Sequence, residues 1–327
     1  MNRILTIELR KAIAAAAIAS ALLIGLPATA GAMATKVSAG SGHACAIESP
    51  SRAVVCWGLN SSGQTNVPPS LGQASLISAG SSHTCAIPHS VGDVKCWGGT
   101  TSQSSVPGLL GRATELSAGG SHTCAIQAVT GKVFCWGSNT SGQTTVPSTL
   151  GRAIRISAGR SHSCAIQAVT GKVFCWGSNN AGQRTVPLTF SKTGKATWVS
   201  AGSDHTCVIQ SATNKVFCWG SNSKGQRTPP TTLTGSSSAL TLTSGSDHVC
   251  AQTLVGSVRC WGDNSAGQNR VALRVGKPND LEAGGQFTCA VGQTPLNLVG
   301  TEFGSVGSVW CWGDNDNRQM AVPTSLH

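Results

Sequence analysis

An all-β, seven-bladed β-propeller with one disulfide per blade is the fold class this sequence predicts, on three observations. The tripeptide Cys-Trp-Gly recurs seven times, at a spacing of 39 to 43 residues until the last copy. A second cysteine stands upstream of every copy. The composition, with 40 Gly, no Tyr and only 11% charged residues, favours turns and strands over long surface helices, which need Glu, Lys, Ala and Leu on a 3.6-residue period.

The N-terminus stands outside this pattern. Arg3, Arg10 and Lys11 precede the run AIAAAAIASALLIGL, which Pro27 and the small triplet Ala28-Thr29-Ala30 follow. A basic start, an apolar core and small residues read as a secretory signal peptide over residues 1–30. The apolar core is about fifteen residues, short of the roughly twenty that span a bilayer. Cleavage is expected after Ala30, with Ala32-Met33-Ala34 as a second site, leaving residues 31–327 as the propeller domain of a secreted or periplasmic protein with no membrane insertion. Losing Arg3, Arg10, Lys11 and Glu8 from 23 Lys or Arg and 12 Asp or Glu leaves a net charge of +9. The charges are scattered without a basic run, so a solvated surface is expected and nucleic acid is not a partner.

The seven units carry Cys56, Cys96, Cys135, Cys175, Cys218, Cys260 and Cys311 in Cys-Trp-Gly, and upstream Cys45, Cys85, Cys124, Cys164, Cys207, Cys250 and Cys289. They consume nearly the whole mature chain. A repeat of about forty residues holds four short strands and their turns, which is one propeller blade. In the third unit the expected strands are Ala113 to Ser117, His122 to Ile126, Lys132 to Trp136 and Gln143 to Val146. Gly137 to Gly142 supplies turn chemistry, and Pro147 suits a blade edge. A WD40 blade would need its landmarks farther apart than His43 and Trp57, and no Leu ladder or helix-length amphipathic run is present.

The phrase AGxxHxCAI followed by V-x-C-W-G-x-N-x-x-G-Q resembles the repeat of the regulator of chromosome condensation family, over residues 35–323. The resemblance implies a seven-bladed propeller. The paired cysteines depart from its intracellular members and are more similar to the extracellular repeats of crinkly-type plant receptor kinases; a secreted bacterial branch, the propeller-type β-lactamase inhibitory protein, is also similar.

Fourteen cysteines in an exported chain make seven disulfides. Pairing is either within a unit, as Cys45 with Cys56, or across units, as Cys56 with Cys85. The first is expected, because a short loop joins the second and third strands and lets their cysteines face each other across an antiparallel ladder.

The same residues bear reading as chemistry. His43, Cys45 and Cys56 offer three soft ligands per unit, but lack a Cys-x-x-Cys knuckle and face an oxidising destination, so no metal is assigned. His43, Cys45 and Ile47 alternate onto one strand face, which predicts a buried His bonded to backbone. The repeated tryptophans are expected as inter-blade packing. Asp314 to Asn317 begins like a calcium loop, but Arg318 and a missing Gly break it. No nucleophile elbow, H-E-x-x-H or phosphate-binding loop occurs, so the chain reads as a non-enzyme without cofactor.

Two candidate contact regions remain. The slot before the Cys-Trp-Gly cysteine holds Val55, Lys95, Phe134, Phe174, Phe217, Arg259 and Trp310, and Phe134, Phe174 and Phe217 with Lys132, Lys172 and Lys215 are a candidate patch or, alternatively, gap-filling core. The last unit inserts Gly292 to Ser308, where Leu296, Leu298, Val299 and Phe303 form a candidate contact hairpin or a cover over the ring seam. The functional expectation is a secreted binding module that grips a protein or cell-envelope partner with one propeller face. An inhibitor of a secreted or periplasmic enzyme such as a β-lactamase is the special case that the resemblance implies. Guanine-nucleotide exchange on a small GTPase is also implied by the founding family member, against the signal peptide.

Overall fold

The computed structural model describes residues 33–90, 93–191, 194–235, 238–272, 275–292 and 307–326. They lie in one compact unit, Ala32–His327. Among them stand seven antiparallel sheets of three strands each, every sheet built from three consecutive strands. Blade four is typical, with an inner strand Ala153–Ala158, a middle strand His162–Gln167 and an outer strand Val173–Gly177. The register pairs Cys164 with Cys175 directly across the ladder, and the same pairing recurs in every blade. All seven disulfides accordingly close within a blade, Cys45–Cys56 through Cys289–Cys311. Among the described residues no cysteine is free.

The predicted fourth strand is absent. Gln143 to Val146 and its counterparts form a turn and an irregular segment, because their polar groups are committed elsewhere. The Gln143 side chain turns back to accept the Ser141 N–H at 2.8 Å, and Asn139 Oδ1 accepts the Thr144 N–H at 2.9 Å. This is the work of the recurring Asn-x-x-Gly-Gln: the amides shape a tight turn, and Gly142 takes a positive φ of 79°. Blade two lacks the Asn and Gly, and there a helical turn, Thr101–Ser104, carries the equivalent Gln103 instead.

The turn holds the backbone carbonyl of the buried Gln toward the next blade. Trp176 Nε1–H donates to Gln143 O at 2.9 Å, and Trp97, Trp136, Trp219, Trp261 and Trp312 donate likewise to Gln64, Gln103, Gln183, Gln226 and Gln268. Trp57 of the first blade completes the circle by donating to Gln319 O, beyond the last blade, at 2.9 Å. The tryptophans thus pack between blades, as expected from the sequence, and also bond across them.

Seven apolar cores lie between neighbouring blades rather than inside them. Between blades three and four, Ile126, Val133 and Leu150 meet Ile156, Ala165 and Trp176. Across the seam, Val37, Ala46 and Trp57 of blade one meet Phe287, Val291 and Val309 of blade seven. A plug residue in each linker adds to these cores: Leu71, Leu110, Leu150, Phe190, Leu233, Val275 and Leu326 are all buried. Around the axis, the glycine of each Ala-Gly turn (Ser244-Gly245 in blade six) packs against the next blade's backbone. A Cβ on Gly159 would lie 2.4 Å from Gly202 O, and one on Gly284 would lie 2.2 Å from Gly40 O, so the ring is closed here too. Hydrogen bonds such as Arg160 N to Gly202 O (3.2 Å) and Gly285 N to Gly40 O (2.9 Å) run between the same turns.

Gly159→Ala must push two blades apart or displace His162, and is expected to destabilise the fold by about 1–3 kcal/mol. Urea denaturation with the disulfides intact measures it; an unchanged midpoint would show that the axial turns are not in contact.

Candidate binding surface

Six of the seven blades carry a histidine at the start of the middle strand. Each is fully buried beside its glycine turn. Five of the six bond not to backbone, as the sequence suggested, but to a hydroxyl one residue past the corresponding position of the next blade. His43 Nε2 meets Thr84 Oγ1 at 2.8 Å, His83 meets Thr123 at 2.7 Å, His122 meets Ser163 at 2.8 Å, His162 meets Thr206 at 2.9 Å and His248 meets Thr288 at 2.8 Å. Thr84, Ser163 and Thr206 in turn donate to the carbonyls of Gln64, Gln143 and Gln183. A hydroxyl has one proton, so in these pairs the histidine donates from Nε2, and burial, which lowers its pKa, keeps the ring neutral. The alternation of the strand could not reveal this, because the partner lies about forty residues away.

With Nε2 engaged and the cysteines oxidised, these residues form a structural relay. Among the described residues, no group of three His, Cys, Asp or Glu stands where it could hold a metal ion.

The relay is broken at two places. Val249 occupies the hydroxyl position opposite His205, whose two ring nitrogens are buried without a partner. Phe287 replaces the histidine in blade seven, and the facing residue in blade one is Ala44, so there both sides are apolar.

The axial channel has two unlike mouths. One is lined by the axial glycine turns, Gly40, Gly80, Gly119, Gly159, Gly202, Gly245 and Gly284, with small neighbours such as Ser41 and Ser81, and among the described residues Arg160 is the charged one there. The other opens where the inner strands begin, beside the hairpins that join middle to outer strands. It is a cavity of about 240 Å3 whose wall changes at every blade: Lys36, Leu76, Glu115, Arg155, Trp198, Thr241 and Asp280 occupy one repeat slot.

These side chains hold one another. Arg155 donates to Glu115 at 2.9 Å and stacks over the Trp198 ring at 4.5 Å, while Glu115 also accepts the Ile156 N–H. Trp198 Nε1 donates to Leu242 O. Asp280 accepts the Val37 N–H at 2.9 Å and faces Lys36 Nζ at 3.4 Å, which joins blade seven to blade one. Glu282 occupies the slot that is Ser in most blades, and Thr243 donates to it at 3.1 Å. Burial, with Asp280 adding repulsion, pushes the Glu282 carboxyl up to about 8. Burial also raises Asp280 and Glu115 above the usual carboxylate range, against the attraction of Lys36 and Arg155.

Beyond this mouth stand the hairpin tips. Val129 and Val169 are exposed in blades three and four, and Leu254 and Val255 in blade six. Ile154, Val169 and Lys195 line one shallow groove between blades four and five.

The sequence-predicted contact residues are placed as follows. Phe134, Phe174 and Phe217 are half-buried and pack into the cores between blades, with Phe217 against Phe190 at a ring separation of 5.5 Å. Val55 and Trp310 pack in the same manner, Lys95 donates to Ser70 O, and Arg259 is exposed. Leu296, Leu298, Val299 and Phe303 lie outside the described residues. The variable mouth was missed, although Lys36, Leu76, Glu115, Arg155, Trp198, Thr241 and Asp280 are readable as an irregular slot four residues before the regular Gly of each axial turn.

Two predictions concern the relay. Val249→Thr places a hydroxyl opposite His205 Nε2 and should stabilise the protein by about 0.5–1.5 kcal/mol in urea denaturation; a loss of stability would show that the site cannot take the hydroxyl. Burial lowers the six histidines from 6.5 to about 4 for His43, His83 and His248 and about 3 for His122, His162 and His205. Below 6.5 the unfolded chain takes up protons that the folded one refuses, so stability is full above that pH and falls on acidification toward 4. Each histidine then contributes a loss of about 1.4 kcal/mol per pH unit. A melting temperature that stays level from pH 7 to 4.5 would contradict the buried neutral relay.

Comparison with known proteins agrees with this geometry. Residues 34–64, 113–143, 153–183 and 199–226 match the model of the regulator of chromosome condensation (RCC1) repeat. No curated protein sequence matches the chain. Among solved structures, it is similar to the crinkly ectodomain of the Arabidopsis thaliana receptor kinase ACR4, with 28% identity over 86% of this chain and 98% of that one and a TM-score of 0.64. The ectodomain of the Physcomitrella patens receptor kinase CR4 has 23% identity over 86% and 73% of the chains, with a TM-score of 0.65. Prp20p of Saccharomyces cerevisiae, solved in work on its binding to Gsp1p and histones, has 16% identity over 79% and 82%, with a TM-score of 0.64. The chain is a propeller that carries regulator of chromosome condensation repeats.

Proposed function

We propose that the protein is a secreted, non-catalytic binding module that meets a protein or cell-envelope partner with the face bearing the middle-to-outer hairpins. The observation that carries this reading is the contrast between the two channel mouths. One is built of the same small-residue-and-Gly turn seven times, Ala-Gly in six blades and Ser244-Gly245 in the other, as the fold requires. The other presents seven different side chains in one repeat slot, and the fold has no need of that variety. Seven intra-blade disulfides and the likeness to receptor ectodomains support an extracellular or periplasmic setting. The N-terminal segment, residues 1–30, fits as the signal peptide that delivers it there. Among the described residues no helix is long and apolar enough to cross a membrane.

Affinity capture from envelope extract with the exported form tests the reading. Lys172→Glu and Lys195→Glu, both exposed on the hairpin face, are expected to weaken capture at unchanged melting temperature, and Arg160→Glu on the opposite mouth to leave it intact. The reverse pattern would assign binding to the glycine-lined mouth. Phe174→Ala should lower stability by about 2–3 kcal/mol, below the range for a fully buried Phe, with capture unchanged; lost capture at an unaltered melting temperature would instead make the phenylalanines contacts.

A further inference from the structure

The hairpin tips and their charges point to a partner of particular chemistry. The tip lies just beyond the last pair of one ladder, Ile126 with Val133 in blade three, Ile166 with Val173 in blade four and Gln252 with Val258 in blade six. Equal register in blades of one ring brings the tips to one level, so they can meet a flat surface together. Val129 and Val169 are each 84% exposed there, and Leu254 and Val255 are 56% and 72% exposed. Single exposed aliphatics are ordinary on a protein surface; four at corresponding tips of three blades are a pattern.

Charge is divided in the same sense. Around the tips of blades three to five stand exposed Arg112, Lys132, Arg152, Lys172 and Lys195. The acidic groups beside them are Asp93, which bridges to Arg112 through its backbone, and Glu115, which is taken by Arg155. Five further carboxylates, Asp204, Asp247, Asp263, Asp314 and Asp316, lie beside the His or after the Trp-Gly, at the opposite ends of their strands. Glu48, Asp280 and Glu282 lie on the hairpin side of blades one and seven, so the cationic sector is that of blades three to five.

We infer that this face seats on an anionic lipid surface, a step that rests on the reading of it as the binding face. Protein hot spots are rich in Trp, Tyr and Arg gathered in a desolvated centre; here Trp198 and Arg155 are engaged with Leu242 O and Glu115 within the channel mouth, and the projecting tips carry isolated Val and Leu. Aliphatic points that dip into the headgroup region, ringed by Lys and Arg held by anionic lipid, are the chemistry of peripheral interfacial binding. The contact is peripheral and inserts no segment.

The test uses the full exported chain with vesicles of phosphatidylcholine, with and without phosphatidylglycerol, in sedimentation at low and at physiological salt. Binding to the anionic vesicles alone, weakened by salt, is expected. The pair Lys132→Glu and Lys172→Glu should weaken it about 25-fold or more, since each basic residue near such a surface contributes roughly five-fold. Val129→Asp with Val169→Asp should abolish it at unchanged melting temperature. Absence of binding to either vesicle overturns the lipid assignment; if the same variants also lose capture of an acidic protein, the face still binds and only its partner was misread. Variants that retain both interactions overturn the face itself.

Discussion

The closing of seven blades into a ring depends on one hydrogen bond repeated around it, from a tryptophan indole N–H to the glutamine carbonyl that ends the previous unit. A buried carbonyl left unpaired costs about 1–3 kcal/mol, so the turn that aims it cannot drift. That requirement explains the motif: Asn and Gln side chains consume the N–H groups of the turn, and the carbonyl is left pointing outward at the next blade. The large apolar body of the same tryptophan fills the inter-blade core while its N–H makes the bond. Packing and polarity are therefore satisfied by one side chain at one place. Because Trp57 meets Gln319 in the same geometry, this bond is kept at the seam, where the histidine relay is not.

The stabilising elements divide cleanly by range. Disulfides and ladders act within a blade; indoles, histidines, glycine turns and apolar cores act between blades. Shortening the unfolded chain by many small loops restrains each blade locally, but it leaves closure of the ring to noncovalent contacts. Acid should therefore loosen the joints between blades while the sheets themselves remain pinned.

Much of this was legible in the sequence. The period, the paired cysteines and the alternation of His43, Cys45 and Ile47 led directly to the blades, their number and their disulfides, because a repeat must satisfy the same local physics in each copy. The fourth strand was misread, since Gln143 to Val146 has strand-like composition yet gives its polar groups to a turn and a neighbour. The histidine partners and the linker plugs were not legible, for their contacts join residues about forty positions apart. Lys36, Arg155 and Trp198 escaped notice for a different reason. A search for what recurs passes over the slot where nothing does, and the candidate surface lies in that slot.

The confinement of each disulfide and each sheet to one blade has a consequence for the history of such a chain. Blades three and four are nearly the same sentence written twice, and exchange between two such stretches would add, remove or replace a whole blade without orphaning a cysteine or splitting a sheet. The unit that recombination can copy coincides with the unit that folds. What restrains the number of copies is the axis, where each glycine turn already touches the next and an eighth blade would have to open the circle.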